Sequence, residues 1–158
     1  MDRLLSPKRI LVPVKGSSLD EDTMQLACEM ARRVHARLYV VSVIEVKRSL
    51  PLETELPGEI QRGEEVLARA EAVARKWKQE IEAEVLQARD AGTAIVEEAE
   101  RQNVDLIILG LSYKKKYDQF CLGDTVMHVL RNAPGRVLVH REPIPYPDGS
   151  GGERPGGR

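Results

Sequence analysis

No apolar run in this chain approaches the roughly 20 residues needed to span a bilayer. The opening stretch Met1-Asp2-Arg3-Leu4-Leu5-Ser6-Pro7 also lacks the apolar core of a signal peptide. A cytoplasmic location is the expectation. Charge of either sign is not in excess either: 24 basic residues face 25 acidic ones, a net charge of -1, so nothing biases the chain toward nucleic acid. The two cysteines, Cys28 and Cys121, form no CxxC pair, and His35, His128 and His140 are scattered, which argues against a structural zinc site. Cys28 reads as a small apolar side chain on a helix, and Cys121 as a loop thiol.

What is present is a hydrophobic content of 42% in 158 residues, enough for one domain with a proper core. Arg9 to Val14 forms a short apolar run that stops at Lys15-Gly16-Ser17-Ser18, a turn leading into a helix. Ser18 and Glu21 have capping-box spacing, followed by Met24, Ala27, Ala31 and Val34 at helical intervals. Leu38 to Ile44 is β-branched and nearly continuous, which suits a central parallel strand. From Glu59 a long amphipathic helix is expected, with Ile60, Leu67, Ala74 and Ile81 repeating every seven and Gly63, Ala70 and Trp77 between them. Glu84 to Ala88 reads as a weak third strand, at an edge. Asp90-Ala91-Gly92-Thr93 offers caps for a helix carrying Ile95, Val96 and Ala99.

Asp105 to Gly110 reads as a strand buried on both faces, and Gly123-Asp124-Thr125-Val126 as a helix start that ends at Asn132-Ala133-Pro134-Gly135. Arg136 to His140 is the fifth strand. Alternating strands and helices at this spacing predict an α/β fold: an open five-stranded parallel sheet with helices on both faces and right-handed crossovers. In such a sheet the loop from Gly110 to Gly123 lies beyond the strands' carboxyl ends, where helix N–H groups and glycine backbone approach a phosphate. From Glu142 onward, four prolines and five glycines in seventeen residues predict a disordered tail over 142–158.

Three blocks carry a family resemblance: Ile10-Leu11-Val12-Pro13-Val14 leading to Gly16-Ser17; Ala94-Ile95-Val96 through Gly110; and Gly123-x-Thr125-Val126 through Asn132-Ala133-Pro134 and Val137-Leu138-Val139. Together, over residues 8–141, they resemble the universal stress protein domain. The resemblance implies a flavodoxin-like sheet of strand order 3-2-1-4-5, binding of ATP or another adenine nucleotide, and a homodimer through the Arg136–His140 edge strand. Carried over by position, it places Pro13, Val14, Lys15, Val43, Leu109, Gly110, Tyr113, Gly123, Asp124, Thr125 and Val126 at the nucleotide.

ATP-binding members carry Gly-x-x-Gly, nine residues, then Gly-Ser/Thr. This chain keeps the spacing from Gly110 through Tyr113 to Gly123 but not every residue. Tyr113 replaces the second glycine, Asp124 the small hydroxyl residue, and Lys15 the aspartate that usually ends the first strand. Tyr113 disfavours the positive φ that glycine accepts, and Asp124 opposes a phosphate with like charge. In compensation, Lys114, Lys115 and Lys116 offer positive charge and Thr125 a hydroxyl one residue late. A charge swap is expected, with Lys15 and Asp124 approaching each other at the cleft mouth. The stretch from Tyr117 to Val126 is further similar to stress-protein domains appended to amino-acid permeases, which implies a membrane transporter as partner or fusion.

No paired carboxylates, metal cluster or nucleophile with an identifiable base appears near the loop. Catalytic and metal-binding residues are therefore not assigned, and slow nucleotide hydrolysis is the most that an enzyme reading would support. The alternative to nucleotide binding is a protein-interaction module that has lost it. His128 and Trp77 read as structural.

Overall fold

The computed structural model describes residues 6–113, 115–116, 119–144 and 146. The elements alternate along the chain: β1 (Arg9–Pro13), α1 (Asp20–Val34), β2 (Arg37–Glu45), α2 (Pro57–Lys76), β3 (Ile81–Ala88), α3 (Ala91–Arg101), β4 (Leu106–Leu111), α4 (Asp124–Asn132) and β7 (Arg136–Arg141). A two-stranded antiparallel hairpin, β5 (Lys115–Lys116) with β6 (Gln119–Phe120), is inserted between β4 and α4. The main sheet is parallel and ordered β3-β2-β1-β4-β7, which is the expected 3-2-1-4-5 once the hairpin is set aside. The tail expected to be disordered lies largely outside the described residues.

Strand alternation divides the interior into two cores. Ile10, Val12, Leu38, Val40, Leu106 and Ile108 face α1 and α2, where they meet Met24, Ala27, Leu67 and Ala74. Leu11, Tyr39, Val41, Ile107 and Leu109 face α3 and α4, where they meet Ile95, Ala99, Val126 and Val129. β1 and β4 are buried on both faces, which explains their continuous apolar sequences. β3 carries a weaker signal because it is an edge: Glu82, Ala83 and Glu84 are exposed. Cys28 is packed in the first core, where burial pushes its thiol pKa up to about 11 and leaves it unreactive.

Two local readings need correction. The Ser18–Glu21 capping box does not form: α1 starts after Leu19 with no side-chain cap, and Ser17 Oγ accepts from the Leu19 N–H at 3.0 Å. The heptad pattern also overruns its helix. α2 stops at Lys76, Trp77 caps it half-buried against the first core, and Lys78 takes φ 54°, so Ile81 belongs to β3. A repeat of apolar residues continues across that turn because both elements pack on the same core.

Asp105 clasps the entry of the sheet. Its carboxylate accepts from the Lys8 N–H at 3.0 Å and the Arg9 N–H at 3.1 Å, while its carbonyl accepts from the Arg136 N–H at 3.1 Å. Three strands are thus tied at one residue. Asp105→Ala leaves two backbone donors without that acceptor and should lower unfolding free energy by about 1–3 kcal/mol in denaturant titrations; an unchanged midpoint would show that the clasp is idle.

Asp90 is the N-cap of α3 and accepts from both the hydroxyl and the N–H of Thr93, at 2.6 and 3.1 Å. The side-chain bond from Thr93, then its backbone bond, holds the Asp90 carboxyl below the ordinary aspartate range. A depressed carboxyl contributes stability that is present above its unfolded pKa near about 4 and is lost as pH falls through the lower folded value. Asp90→Asn should therefore flatten the acid limb of the stability profile while changing neutral stability by less than about 1 kcal/mol. Unfolding titrations on either side of about pH 4 measure this.

Candidate functional site

The β1–β4 ladder is short. Register pairs run only over Ile10–Leu106 and Leu11–Ile107, whereas β1–β2 pairs from Arg9 to Pro13 and β4–β7 from Leu106 to Leu111. Proline explains where it stops. Successive N–H groups along a strand point to opposite sides, and the Val14 N–H points to β2, donating to the Val41 carbonyl at 2.8 Å. The donor missing at Pro13 is therefore the one that would face β4. Beyond Leu11 the ladder to β4 does not continue, and a slot opens between the strand ends.

That slot is a cavity of about 110 Å³ lined by Pro13, Val14, Lys15, Ser17, Asp20, Val43, Ala91, Ile95, Leu109, Gly110, Thr125 and Val126. Eight of the eleven residues singled out from the sequence meet there; Tyr113, Gly123 and Asp124 do not line it. The walls are mostly apolar strand ends, and the polar groups gather at the mouth. Gly110 is required by close approach: a Cβ there would lie 2.7 Å from Thr23 Oγ1 of α1. Thr23 is itself buried and donates to the Leu19 carbonyl at 3.2 Å; its oxygen lies 3.0 Å from His140 Nδ1, which suits a protonated Nδ1 donating to it.

Asp20, which sequence reasoning passed over, is the acid of the cleft. Its carboxylate accepts from the Gly16 N–H at 2.7 Å and the Lys15 N–H at 3.2 Å, folding the turn after β1 back onto α1. Burial pushes its pKa up, against the lowering effects of those two N–H groups and of the Lys15 ammonium. The signal for it was an aspartate four residues beyond Gly16 in the first turn of a helix. The expected approach of Lys15 to Asp124 is not an ion pair: among the described residues the ion pairs join Arg33–Glu29, Arg62–Glu59 and Arg101–Glu98. The charge acting on Asp20 is that of Lys15, on the same loop.

Helix N-termini at the cleft differ in how they are filled. At α3 the chain supplies its own carboxylates, Asp90 as cap and Glu45 accepting from the Ala91 N–H at 2.8 Å. At α4 the N-cap is Gly123, with φ 82°, no side-chain cap and open space where a Cβ would stand. The first N–H groups of α4 lack a side-chain acceptor, and Thr125 beside them lines the slot.

Tyr113 is held elsewhere. Its N–H donates to Glu142 Oε2 at 2.7 Å, its ring stacks on Phe120 at 5.3 Å between centroids, and the Arg141 guanidinium lies 5.7 Å from the ring centre. The residue standing in place of a loop glycine is thereby bound to the end of β7 and to the hairpin. The side chains of Lys114, Lys115 and Lys116 lie outside those described. Among the described residues no cluster of metal-ligating groups occurs, and no helix is long and apolar enough to cross a membrane.

The profile described as the Universal stress protein family matches residues 7–141. Universal stress protein MJ0531 of Methanocaldococcus jannaschii is 30% identical over 142 residues, spanning 86% of this chain and 83% of the relative. Among solved structures, the universal stress protein from Archaeoglobus fulgidus superposes with a TM-score of 0.72 at 23% identity, covering 84% of this chain and 97% of the other. A universal stress protein from the same organism in complex with dAMP gives 0.68 at 24% identity, covering 84% and 96%. With its sheet order, its cleft between β1 and β4 and a profile match over most of its length, this chain belongs to the universal stress protein family.

Proposed function

We propose that this chain is a cytoplasmic regulatory domain that binds an adenine-containing nucleotide in a modified β1/β4 cleft and performs no efficient chemistry. The observation that carries the reading is the apolar slot between splayed strand ends, closed on one side by a helix N-terminus without a side-chain cap. An adenine ring suits walls made by Pro13, Val14, Val43, Ile95 and Leu109, and a phosphate suits the free N–H groups and hydroxyl at Gly123–Thr125. The dAMP held by an Archaeoglobus fulgidus relative supports the same ligand class.

The departures modify this pocket without removing it. Two unit charges at 4 Å interact by about 1 kcal/mol in bulk water. Asp124 is exposed, so its repulsion of a phosphate is of that order and weakens affinity about five- to tenfold. Tyr113 is bound to Glu142 and Phe120 and does not line the slot, so its ring leaves the base site open.

A second reading has its own observation. Phe120 is 42% exposed while stacked on Tyr113, an aromatic knob that suits a protein partner; the similarity of residues 117–126 to permease-appended domains makes a membrane transporter the partner class proposed. Here the domain is an interaction module that no longer binds nucleotide.

Thermal unfolding against ATP, ADP, AMP, cyclic AMP and cyclic di-AMP separates the two. At a hundredfold excess over Kd a ligand specific for the native state adds about 2.7 kcal/mol, a rise of several degrees in Tm. The nucleotide reading expects that rise in the native chain, increased by Asp124→Ser at fixed ligand concentration. A rise confined to Tyr113→Gly/Asp124→Ser would favour the interaction reading, and none in either protein would rule out the nucleotide site.

Self-association follows from the sheet edge. β7 is the terminal strand, with Leu138 39% exposed, while Val137 and Val139 pack partly buried on the second core. We propose that β7 pairs with its copy under twofold symmetry. Sedimentation equilibrium should give a dimer, weakened at least about tenfold by Leu138→Asp through loss of buried apolar area and added charge. Monomer alone at working concentration would refute the pairing.

A further inference from the structure

Beyond the nucleotide reading and independent of it, we propose a second anion site at the opposite end of the sheet, which takes a phosphate-bearing small molecule or headgroup. A cavity of about 420 Å³ lies between the end of α1 and the turn from α2 into β3, large enough for a compact ligand. Its floor is apolar: Ala31, Ala36, Leu38 and Ile81.

Two cationic side chains and an imidazole border this floor. Arg32, His35 and Lys78 stand around it, and none of them makes an ion pair among the described residues. Arg37 and Glu82 also border it, but strand alternation turns their side chains to the other face, because Leu38 and Ile81 point into the first core. Glu80 is then the one carboxylate left on the rim.

Backbone conformation supplies the second observation. Three non-glycine residues have positive φ: His35 at 57°, Lys78 at 54° and Asn103 at 54°. All three follow helix ends, where glycine or asparagine is the usual choice. Asn103 obeys that rule and lies away from the cavity. The two that depart from it, His35 and Lys78, both border the cavity, each holding a nitrogen-bearing side chain on a backbone conformation that costs an L-residue more than it costs glycine. Histidine tolerates this region better than lysine, so Lys78 is the more telling of the pair. Positive φ kept at two corners of one cavity, in residues whose side chains both carry N–H groups, is the backbone mark of the site.

The site is also braced. Arg32 Nη1 donates to the Lys78 carbonyl at 3.1 Å, and Gln79 Nε2 donates to the Ala36 and Glu80 carbonyls at 3.4 and 2.9 Å, so the two walls are cross-tied. The turns that close the two helices bond back into them, Ala36 N–H to the Ala31 carbonyl and Gln79 N–H to the Ala74 carbonyl, both at 2.9 Å, which fixes the cavity's two walls.

Calorimetric titration of the full chain with inorganic pyrophosphate tests this, alongside His35→Gly/Lys78→Gly and the cleft variant Thr125→Val. The double-glycine variant should unfold at the same or a higher temperature than the native chain, because glycine relieves both positive-φ positions, yet bind pyrophosphate at least about tenfold more weakly. Because Thr125 belongs to the proposed phosphate site of the cleft, Thr125→Val should remove at most the cleft's share of the heat and leave a saturable pyrophosphate component that the double-glycine variant weakens. Co-sedimentation with phosphatidylcholine vesicles, with and without phosphatidylserine, identifies the source: binding that requires the anionic lipid and is lost in the double variant assigns a headgroup. The proposal is overturned if pyrophosphate and anionic vesicles both fail to bind, if the double variant binds as the native chain does, or if Thr125→Val alone abolishes binding.

Discussion

Everything at the candidate site depends on the early end of the β1–β4 ladder. β1 is the strand at which the sheet changes direction of growth: the chain goes from it outward to β2 and β3, then returns to its other side with β4 and β7. The helices divide accordingly, α1 and α2 over one face, α3 and α4 over the other. At such a switch point neighbouring connections diverge, and here a proline removes the backbone donor that would prolong the pairing. The opening needs no cavity carved from the core, since it is the space left where two strands cease to be neighbours. The two cores stay intact beneath it, and β1 and β4 remain buried on both faces.

Electrostatics at the opening follow from which backbone donors have been satisfied. Asp20 accepts from the turn after β1, and Glu45 and Asp90 accept from the start of α3, whereas the first N–H groups of α4 have no side-chain cap. Three carboxylates of the chain thus shape the site, and the start of α4 is left without one. Asp124 is the discordant charge. Its exposure limits the repulsion to roughly the 1 kcal/mol scale of charges in water, comparable to what a helix N-terminus contributes in the other direction.

Much of the fold was legible because periodicity reports burial. Continuous β-branched runs marked β2 and β4 as inner strands, and the break at Gly123 marked α4. What escaped was local: the Ser18–Glu21 spacing imitated a cap that Ser17 and Asp20 make unnecessary, and the repeat through Ile81 crossed a turn because two elements share one core. At the site, the apolar lining residues followed by position from the family resemblance, whereas Asp20 did not, since its role arises from a turn folding back. The direction taken by Tyr113 was likewise hidden, as it is fixed by Glu142 and Phe120, partners that only the folded chain brings near.

The central claim is that an adenine nucleotide occupies the gap between β1 and β4. Amide proton–nitrogen spectra of the labelled protein titrated with ATP test it most directly. The account predicts saturable shifts clustered at Val14, Lys15, Gly110 and Gly123 to Val126. Saturable shifts that leave those residues untouched, or a spectrum unchanged at millimolar-scale ligand (a Kd of about 1 mM is only about 4 kcal/mol of binding), would contradict it.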